Sequence, residues 1–314
     1  MFQKIKDIIN KGNRFLITSH IDPDGDAVGS AFSMYWVLYS MNKKAVVYLK
    51  DPVPYNYKFL PAPGPITHEL LKDQYDAIFV LDCGSLFRVG DCYEKLTDMG
   101  PIINIDHHAT SETFGKINVI DTGACSTAEV MYRLFDSLNI SLSYEMAINI
   151  YTAIFTDTGS FRYENTNSRA FLICEEMLRR GVSPSYVSQM VHENHPKERF
   201  RLFGNVLTTL ETYNEDRVAI ACVTLEMFKK TGTTREHSDG LVELLREMKG
   251  IEAAVLLREV ESNKFKASMR SKGKIDVARI CNLFGGGGHK NAAGCTINGN
   301  FEGVKGKIKE ALQI

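Results

Sequence analysis

The segment 20–26, which reads His-Ile-Asp-Pro-Asp-Gly-Asp, places four side chains able to bind a metal ion within seven positions. Imidazole nitrogen and carboxylate oxygen together suit Mn²⁺, Mg²⁺ or Fe²⁺ better than a metal that prefers thiolate ligands. The alternative is an Asp-rich surface turn, because Asp, Pro and Gly are ordinary turn residues. Taken alone, the segment leaves both interpretations open.

The elements predicted on either side of segment 20–26 favour the metal site. Residues 14–19 form an apolar run that predicts a buried strand, and the length and apolar content of residues 27–41 predict a helix. In an α/β sheet, a turn that follows a strand lies at the strand's carboxyl end, where such sheets bind ligands. The segment is therefore expected at the ligand-binding edge of a sheet.

Polar side chains also end three other apolar runs. They are Asp82 after the predicted strand 77–81, Asp106, His107 and His108 after the predicted strand 102–105, and Asp157 after the apolar stretch 148–155. One Asp at such a place is commonly a cap or turn residue. Repetition at several strand ends and one helix end is hard to explain by capping, and parallel strands that end at one edge would bring the side chains together.

The number of these side chains suits a pair of metal ions. Two divalent ions about 3.5–4 Å apart need several anionic ligands, one of them bridging, to hold a water or hydroxide between them. Two imidazoles and four carboxylates would neutralise both ions, and the candidates are His20, Asp24, Asp26, Asp82, His107 and Asp157. Asp106 and His108 are the expected catalytic partners, one orienting an imidazole and the other facing the substrate. Asp22 is expected to brace the loop.

In order and spacing, these motifs resemble the four motifs of the DHH phosphoesterase superfamily. The resemblance implies one ion held by His20, Asp24 and Asp82. It implies a second ion held by Asp26, Asp82, His107 and Asp157. Asp82 would then bridge the ions, and His108 would contact the scissile phosphate or the leaving oxygen. The sequence departs from the family pattern at no metal position, which argues against a non-catalytic member.

Composition sets wider limits. A length of 314 residues predicts about two domains, and a hydrophobic content of 44% allows each a core. The net charge of −1 argues against a protein that coats long nucleic acid. No apolar run approaches the roughly 20 residues that span a bilayer, and the first residues lack a signal-peptide pattern. Seven cysteines without a CxxC spacing fit the cytoplasm.

The pattern of runs predicts an α/β fold with three segments. Over residues 1–182, short apolar runs alternate with helical stretches, which predicts a mostly parallel sheet with helices on both faces. Residues 183–214 are predicted to be a helical linker, with Pro184 and Pro196 as helix starts. His192 and His195 in this linker are expected to be exposed rather than metal-bound. Residues 215–314 are predicted to form a smaller α/β domain.

In the predicted C-terminal domain, two strand-like runs joined by a short polar turn predict a hairpin of strands 251–260 and 264–270. Period-two alternation places Phe265, Ala267 and Met269 toward the core. Lys264 and Lys266, on the opposite face, are interpreted as solvated. Arg270 ends that face and is the better candidate for binding a phosphate, because its planar guanidinium can grip one with two hydrogen bonds.

A glycine run, Gly285–Gly288, precedes His289 between a predicted helix 276–283 and a predicted strand 294–297. A glycine run could be a flexible linker, but this one lies inside the predicted domain, and without Cβ atoms its amides could approach an anion closely and form a nest. Together with the Ser-Met-Arg-Ser segment before it, the run resembles the C-terminal DHH-associated domain. The substrate-binding residues expected here are Arg270, Gly286, Gly287, Gly288 and His289.

Within the superfamily, the two-domain length and this ending resemble the bacterial nanoRNase group. The resemblance implies an oligoribonuclease that also dephosphorylates 3′-phosphoadenosine 5′-phosphate (pAp), with two divalent ions, Mn²⁺ foremost. The expected partners are short RNA or DNA, pAp and dinucleotides. No membrane is expected as a partner, and the chain could form a homodimer. A cyclic or linear dinucleotide phosphodiesterase and a non-catalytic nucleotide sensor remain alternatives.

Overall fold

The structure, a computed structural model, describes residues 1–64 and 66–314. The chain divides into two compact units, Met1–Asn194 and His195–Ile314. Each unit has its own six-stranded sheet and its own hydrophobic core. Within the described residues, no helix is both long enough and apolar enough to cross a membrane.

The first unit is built on a sheet in which every strand pair is parallel. Its strands are β1 (Arg14–Thr18), β2 (Lys44–Tyr48), β3 (Ile66–Thr67), β4 (Ala77–Leu81), β5 (Ile102–Asp106) and β6 (Ile117–Ile120). They are arranged in the order β3-β2-β1-β4-β5-β6. The predicted parallel sheet is confirmed. Because all strands run the same way, their carboxyl ends meet at one edge.

The helices of the first unit cover the two faces of this sheet unequally. They are α1 (Phe2–Lys11), α2 (Gly25–Ser40), α3 (Tyr93–Leu96), α4 (Thr127–Ser137), α5 (Tyr144–Asp157), α6 (Ser168–Arg179) and α7 (Pro184–His192). The larger core cluster joins alternate strand residues to α1, α2, α4, α5, α6 and α7. The opposite face is covered by α3 and by loops. Burial on both faces explains why these strands are continuously apolar in sequence.

Two glycines let α2 and α5 approach each other closely. A Cβ on Gly29 would lie 2.5 Å from the Asn149 carbonyl oxygen, and one on Gly25 would lie 2.3 Å from Thr156 Oγ1. The start of α2 therefore packs against the end of α5. Asp24 caps α2 by accepting from two backbone N–H groups, so the helix begins at Gly25 rather than at the predicted residue 27.

The second unit contains a mixed sheet. Its strands are β7 (Glu211–Tyr213), β8 (Val218–Val223), β9 (Ala253–Glu261), β10 (Lys264–Ser271), β11 (Gly287–His289) and β12 (Ala292–Asn298), in the order β11-β12-β10-β9-β8-β7. Its helices are α8 (Lys197–Leu207), α9 (Leu225–Thr231), α10 (Leu241–Glu247), α11 (Val277–Asn282) and α12 (Phe301–Leu312). Only the β8–β9 pair is parallel among the strand pairs described.

The β9–β10 hairpin has the predicted alternation, with Phe265, Ala267 and Met269 buried and the intervening side chains half-buried. A 3-10 turn ends at Ser238, and Gly240, with φ of 82°, precedes α10. Of the predicted linker 183–214, α7 packs into the first core and α8 into a core cluster of the second unit. The linker role of this segment stays a prediction.

Candidate metal centre and active site

The structure brings the six predicted metal ligands together at the carboxyl edge of the first sheet. His20 follows β1, Asp82 follows β4 and His107 follows β5. Asp24 and Asp26 lie at the start of α2, and Asp157 is the last residue of α5. Five elements therefore contribute side chains to one cluster, and the close packing of α2 against α5 joins the two helical contributions.

One group in this cluster consists of His20, Asp24 and Asp82. His20 Nε2 lies 3.9 Å from Asp24 Oδ1 and 3.6 Å from Asp82 Oδ2. The Nδ1 of His20 is 2.7 Å from the Ile21 carbonyl oxygen, which can only accept a hydrogen bond. Nδ1 therefore carries the proton, and Nε2 is directed at the carboxylates as a metal ligand requires.

A second group consists of Asp26, Asp82 and His107, with Asp157 beside it. His107 Nε2 lies 3.9 Å from Asp26 Oδ2, 3.8 Å from Asp82 Oδ1 and 3.4 Å from Asp157 Oδ2. Asp82 thus turns one oxygen toward His20 and the other toward His107. A carboxylate placed in this way has the arrangement that bridges two ions.

These distances fit coordination better than direct hydrogen bonding. Separations of 3.4–3.9 Å between nitrogen and oxygen are too long for a good hydrogen bond. Ligands bound about 2.1 Å from a common ion lie roughly 3.0–3.4 Å apart in octahedral or tetrahedral geometry. If the distances within each group became slightly shorter, its side chains could all bind one divalent cation. The donor set therefore fits a pair of divalent ions.

Electrostatics support the same conclusion. Asp26 and Asp82 are 1% and 2% exposed. Burial and the neighbouring Asp82 charge raise the pKa of Asp26 to about 7, and burial beside Asp26 raises the pKa of Asp157 well above its usual value. Burial would also raise the pKa of Asp82, but His20 and the other imidazoles hold it below its usual range. Without cations, protons must offset this crowded negative charge.

Asp106 and His108 form a hydrogen-bonded pair at the edge of the cluster. Asp106 Oδ1 is 2.7 Å from His108 Nδ1 and also accepts from the His107 backbone N–H at 2.8 Å. Burial lowers the pKa of His108, but the hydrogen bond to Asp106 and the negative charges of Asp82 and Asp106 together outweigh burial and raise the pKa to about 9. The pair thus provides an oriented, protonated imidazole. Asp22 lies outside the groups described, and its N–H donates to Asp51.

The start of α4 supplies contacts that the sequence analysis missed. The Thr127 N–H donates to Asp26 Oδ2 at 2.6 Å, and its Oγ1 donates to Asp82 Oδ1 at 2.9 Å. The Ala128 N–H and Ser30 Oγ donate to Asp26 Oδ1. Helix N–H groups thus orient the buried carboxylates, and the helix dipole favours their charge. The Ser126-x-x-Glu129 pattern, which signals a capped helix start, could have drawn attention here.

Asn165 performs a related task for Asp157. Its amide donates to the carbonyl oxygens of Cys125 and Asp157, at 2.8 and 3.1 Å, and reaches Asp157 Oδ2 at 3.4 Å. The loop after α5 is therefore fixed to the loop before α4. The structure also places His192 against Ser160, with Oγ and Nε2 2.8 Å apart, and against the ring of Phe155.

In the second unit, Arg270 is oriented by a carboxylate that the sequence analysis did not single out. Its Nε donates to Glu243 Oε1 at 2.7 Å, and both side chains are about one quarter exposed. Burial would raise the pKa of Glu243, but the Arg270 guanidinium holds it below its usual range. This ion pair fixes the direction of the guanidinium.

The glycine run differs from the expected nest. The Gly285 and Gly286 N–H groups donate to the carbonyl oxygens of Asn282 and Cys281. These two amides close the end of α11, so the expectation that the whole run presents its amides to an anion is wrong for them. A Cβ on Gly286 would lie 2.2 Å from the Gly294 carbonyl oxygen. Gly286 is thus required for packing, and the run continues into β11 with Gly287 and Gly288.

Comparisons with known proteins agree with this site. Residues 14–154 match the model of the DHH family, N-terminal domain, and residues 215–314 match the DHHA1 domain. A bifunctional oligoribonuclease and PAP phosphatase NrnA from Thermus thermophilus is 34% identical over 94% of this chain and 89% of that protein. The chain therefore belongs to the DHH family, with a DHHA1 domain at its C-terminal end. The resemblance predicted from its motifs is confirmed.

Two further relatives show how far the likeness extends. The bifunctional oligoribonuclease and PAP phosphatase NrnA of Bacillus subtilis is 26% identical over 90% of this chain and 88% of that protein. The crystal structure of an exopolyphosphatase-related protein from Bacteroides fragilis superimposes with a TM-score of 0.91 at 29% identity, covering 99% of this chain and 95% of that one. The likeness thus spans both units.

Proposed function

We propose that this chain is a divalent-metal-dependent phosphoesterase that hydrolyses short oligoribonucleotides to mononucleotides and removes the 3′-phosphate of pAp. The observation that carries the proposal is Asp82, whose two oxygens face His20 and His107. The similarity over 94% of the chain to a protein named for these two activities supports this choice among phosphoesterases. The complete ligand set argues against a sensor without catalysis.

The roles of the ligands follow the two groups of side chains. His20, Asp24 and Asp82 would hold one ion, and Asp26, Asp82, His107 and Asp157 would hold the other. When bound, such a pair of cations stabilises charge on a phosphoryl oxygen and lowers the pKa of water. Thr127 and Asn165 would hold the carboxylates in place. Imidazole and carboxylate donors suit Mn²⁺, which we propose as the metal.

His108 is proposed as the proton donor to the leaving oxygen. A pKa raised to about 9 keeps its imidazole protonated at neutral pH. The hydrogen bond from Nδ1 to Asp106 orients the ring and stabilises its positive charge. Asp106 is therefore a positioning residue, and His108 would touch the substrate.

The substrate's terminal phosphate is proposed to bind Arg270, Gly286–Gly288 and His289 of the second unit. The ion pair between Arg270 and Glu243 supports this role. A guanidinium that is already held in one orientation loses little conformational entropy when it binds phosphate. Gly286 would contribute because it has no side chain. Its amide would not contribute, since it already donates to the Cys281 carbonyl oxygen. Dinucleotides as further substrates, a homodimeric assembly and a cytoplasmic location are also proposed. Seven free cysteines support that location.

A substrate panel tests the proposal. We expect the protein with Mn²⁺ to cleave pAp and RNAs of about two to five residues with a higher kcat/KM than a 25-mer. Cyclic di-AMP and pyrophosphate belong in the same panel, and Asp82→Asn is the control that removes the proposed bridging carboxylate. A preference for the 25-mer or for pyrophosphate would contradict the proposal. A preference for cyclic di-AMP, or for a linear dinucleotide over both pAp and every longer RNA, would move the assignment to a dinucleotide phosphodiesterase.

A further inference from the structure

A loop of the first unit, residues 83–92, carries an aromatic ring and a cation next to the proposed metal centre. We call it the rim loop. It follows directly on Asp82 and contains the 3-10 turn Leu86–Val89. Phe87 in this turn is 62% exposed, and Arg88 is half-buried. The metal centre as described uses neither side chain, so both are available for another task.

The rim loop is fixed to the neighbouring strand ends. The Ile21 N–H donates to the Arg88 carbonyl oxygen at 2.7 Å. Gly90 has a φ of 113°, and a Cβ there would lie 3.2 Å from Lys50 Cγ and 3.3 Å from Ile21 Cγ2. The loop thus lies against the residues that follow β1 and β2. Phe87 and Arg88 are held on a constrained turn beside the His20 motif.

Arg88 places positive charge beside the metal centre. The Arg88 carbonyl oxygen accepts a hydrogen bond from Ile21, the residue after His20, and Arg88 follows Asp82 by six positions in the chain. Its charge is therefore carried by a turn that is held beside the proposed ligands. Among residues 1–64 and 66–314, no carboxylate forms an ion pair with it. A half-buried cation without a carboxylate partner has capacity to bind an anion.

The strand order places the rim loop and His108 on different sides of the centre. β4, which leads to Asp82, lies between β1 and β5. His108 follows β5, whereas the rim loop turns back toward the ends of β1 and β2. A phosphate held at Asp82 would therefore have His108 on one side and Arg88 on the other.

We propose that Arg88 and Phe87 form a nucleotide subsite, in which the guanidinium binds a phosphate oxygen and the phenyl ring stacks on the base attached to that phosphate. This inference rests on the proposed function and names the substrate class that the centre selects. An exposed ring stacks on any nucleobase, because each has a flat π-face, and an arginine can grip phosphate with two hydrogen bonds. The subsite would favour nucleotides over inorganic pyrophosphate and sugar phosphates.

Phe87→Ala tests the stacking contact, with Phe200→Ala as a control because Phe200 is 61% exposed. We expect Phe87→Ala to lower kcat/KM for a dinucleotide by about tenfold, the usual worth of one stacked base. The same dinucleotide lacking the stacked base should show almost no change. Phe87→Tyr should restore wild-type values, and both alanine variants should keep wild-type metal content.

Arg88→Met and Arg88→Lys test the phosphate contact. Calorimetric titration with AMP, with and without metal, should show roughly tenfold weaker binding to Arg88→Met and partial recovery in Arg88→Lys. Equal AMP affinity and equal kcat/KM in wild type, Phe87→Ala and Arg88→Met would overturn the subsite. Dissociation of a dimer in Phe87→Ala, with unchanged AMP binding, would identify an interface instead. Wild-type inactivity on nucleotides would reject the proposed function, while the AMP titration would still decide the subsite.

Discussion

The two units hold their charged site residues in opposite ways. In the first, Asp26 and Asp82 are buried close to two further carboxylates, and protons or cations must offset their charge. In the second, the Arg270 guanidinium is already paired with Glu243. The first site therefore depends on bound ions for its electrostatic balance, whereas the second is balanced by the chain itself. Substitutions of the clustered carboxylates should consequently affect metal binding, whereas substitutions in the second unit should affect only substrate affinity or folding.

The largest effect is expected from Asp82→Asn. Removing a charge shared by both groups should abolish tight binding of two ions and lower turnover by more than the roughly 100-fold typical of residues that only support a ligand. Asp157→Asn is the matched control, because Asp157 belongs to one group only and should leave one ion bound. Elemental analysis and steady-state kinetics of both variants provide the measurement. Equal metal loss in the two would contradict a bridging role for Asp82.

His108→Ala should separate catalysis from metal binding. We expect it to retain its metal ions while turnover falls by about 10²–10⁴-fold, the usual contribution of a placed acid. His107→Ala, one residue away, should lose metal because it removes a ligand. If both variants lose metal to the same extent, these neighbouring histidines do not have different roles.

Thr127→Val tests whether the start of α4 holds the carboxylates. The substitution removes the hydroxyl that donates to Asp82 and keeps the backbone N–H that donates to Asp26. Metal affinity should fall by about 10–100-fold, and Thr127→Ser should restore it. Unchanged affinity in Thr127→Val, measured by competition with a chelator, would show that the hydroxyl does not position Asp82.

The smallest effect on the metal centre is expected from Gly286→Ala in the second unit. Its Cβ would overlap the Gly294 carbonyl oxygen and Cys295, which should cost about 1–3 kcal/mol of stability. Gly287→Ala is the control, because the nearest atom described there is 3.6 Å away. Thermal unfolding should show a lower Tm for Gly286→Ala alone, with metal content unchanged in both. A comparable loss of Tm in Gly287→Ala would show that packing does not distinguish these glycines.

The sequence predicted the metal cluster because its signals are local. Each ligand ends an apolar run or begins a helix, and a parallel sheet then brings those ends to one edge. The contacts of Thr127 with Asp26 and Asp82 could not be predicted in this way, because they depend on how α4 packs, and a threonine at a helix start is ordinary. Glu243 was missed for the same reason, since its partner is 27 residues further along the chain.

The glycine run shows a different limit of sequence reasoning. Four glycines allow a backbone to approach an anion, but they equally allow one backbone segment to approach another. The structure uses Gly286 for the second purpose, against Gly294 in β12. Which purpose applies depends on the sheet order, where β11 pairs with β12, and that pairing has no signal in the glycines themselves.

The central claim is that Asp82 joins two metal ions. Crystals grown with Mn²⁺, measured at the manganese absorption edge, test it directly through the anomalous difference map. We predict two peaks about 3.5–4 Å apart, each within bonding distance of one Asp82 oxygen, one beside His20 and the other beside His107. A single peak, or two peaks that do not both contact Asp82, would contradict this account of the site.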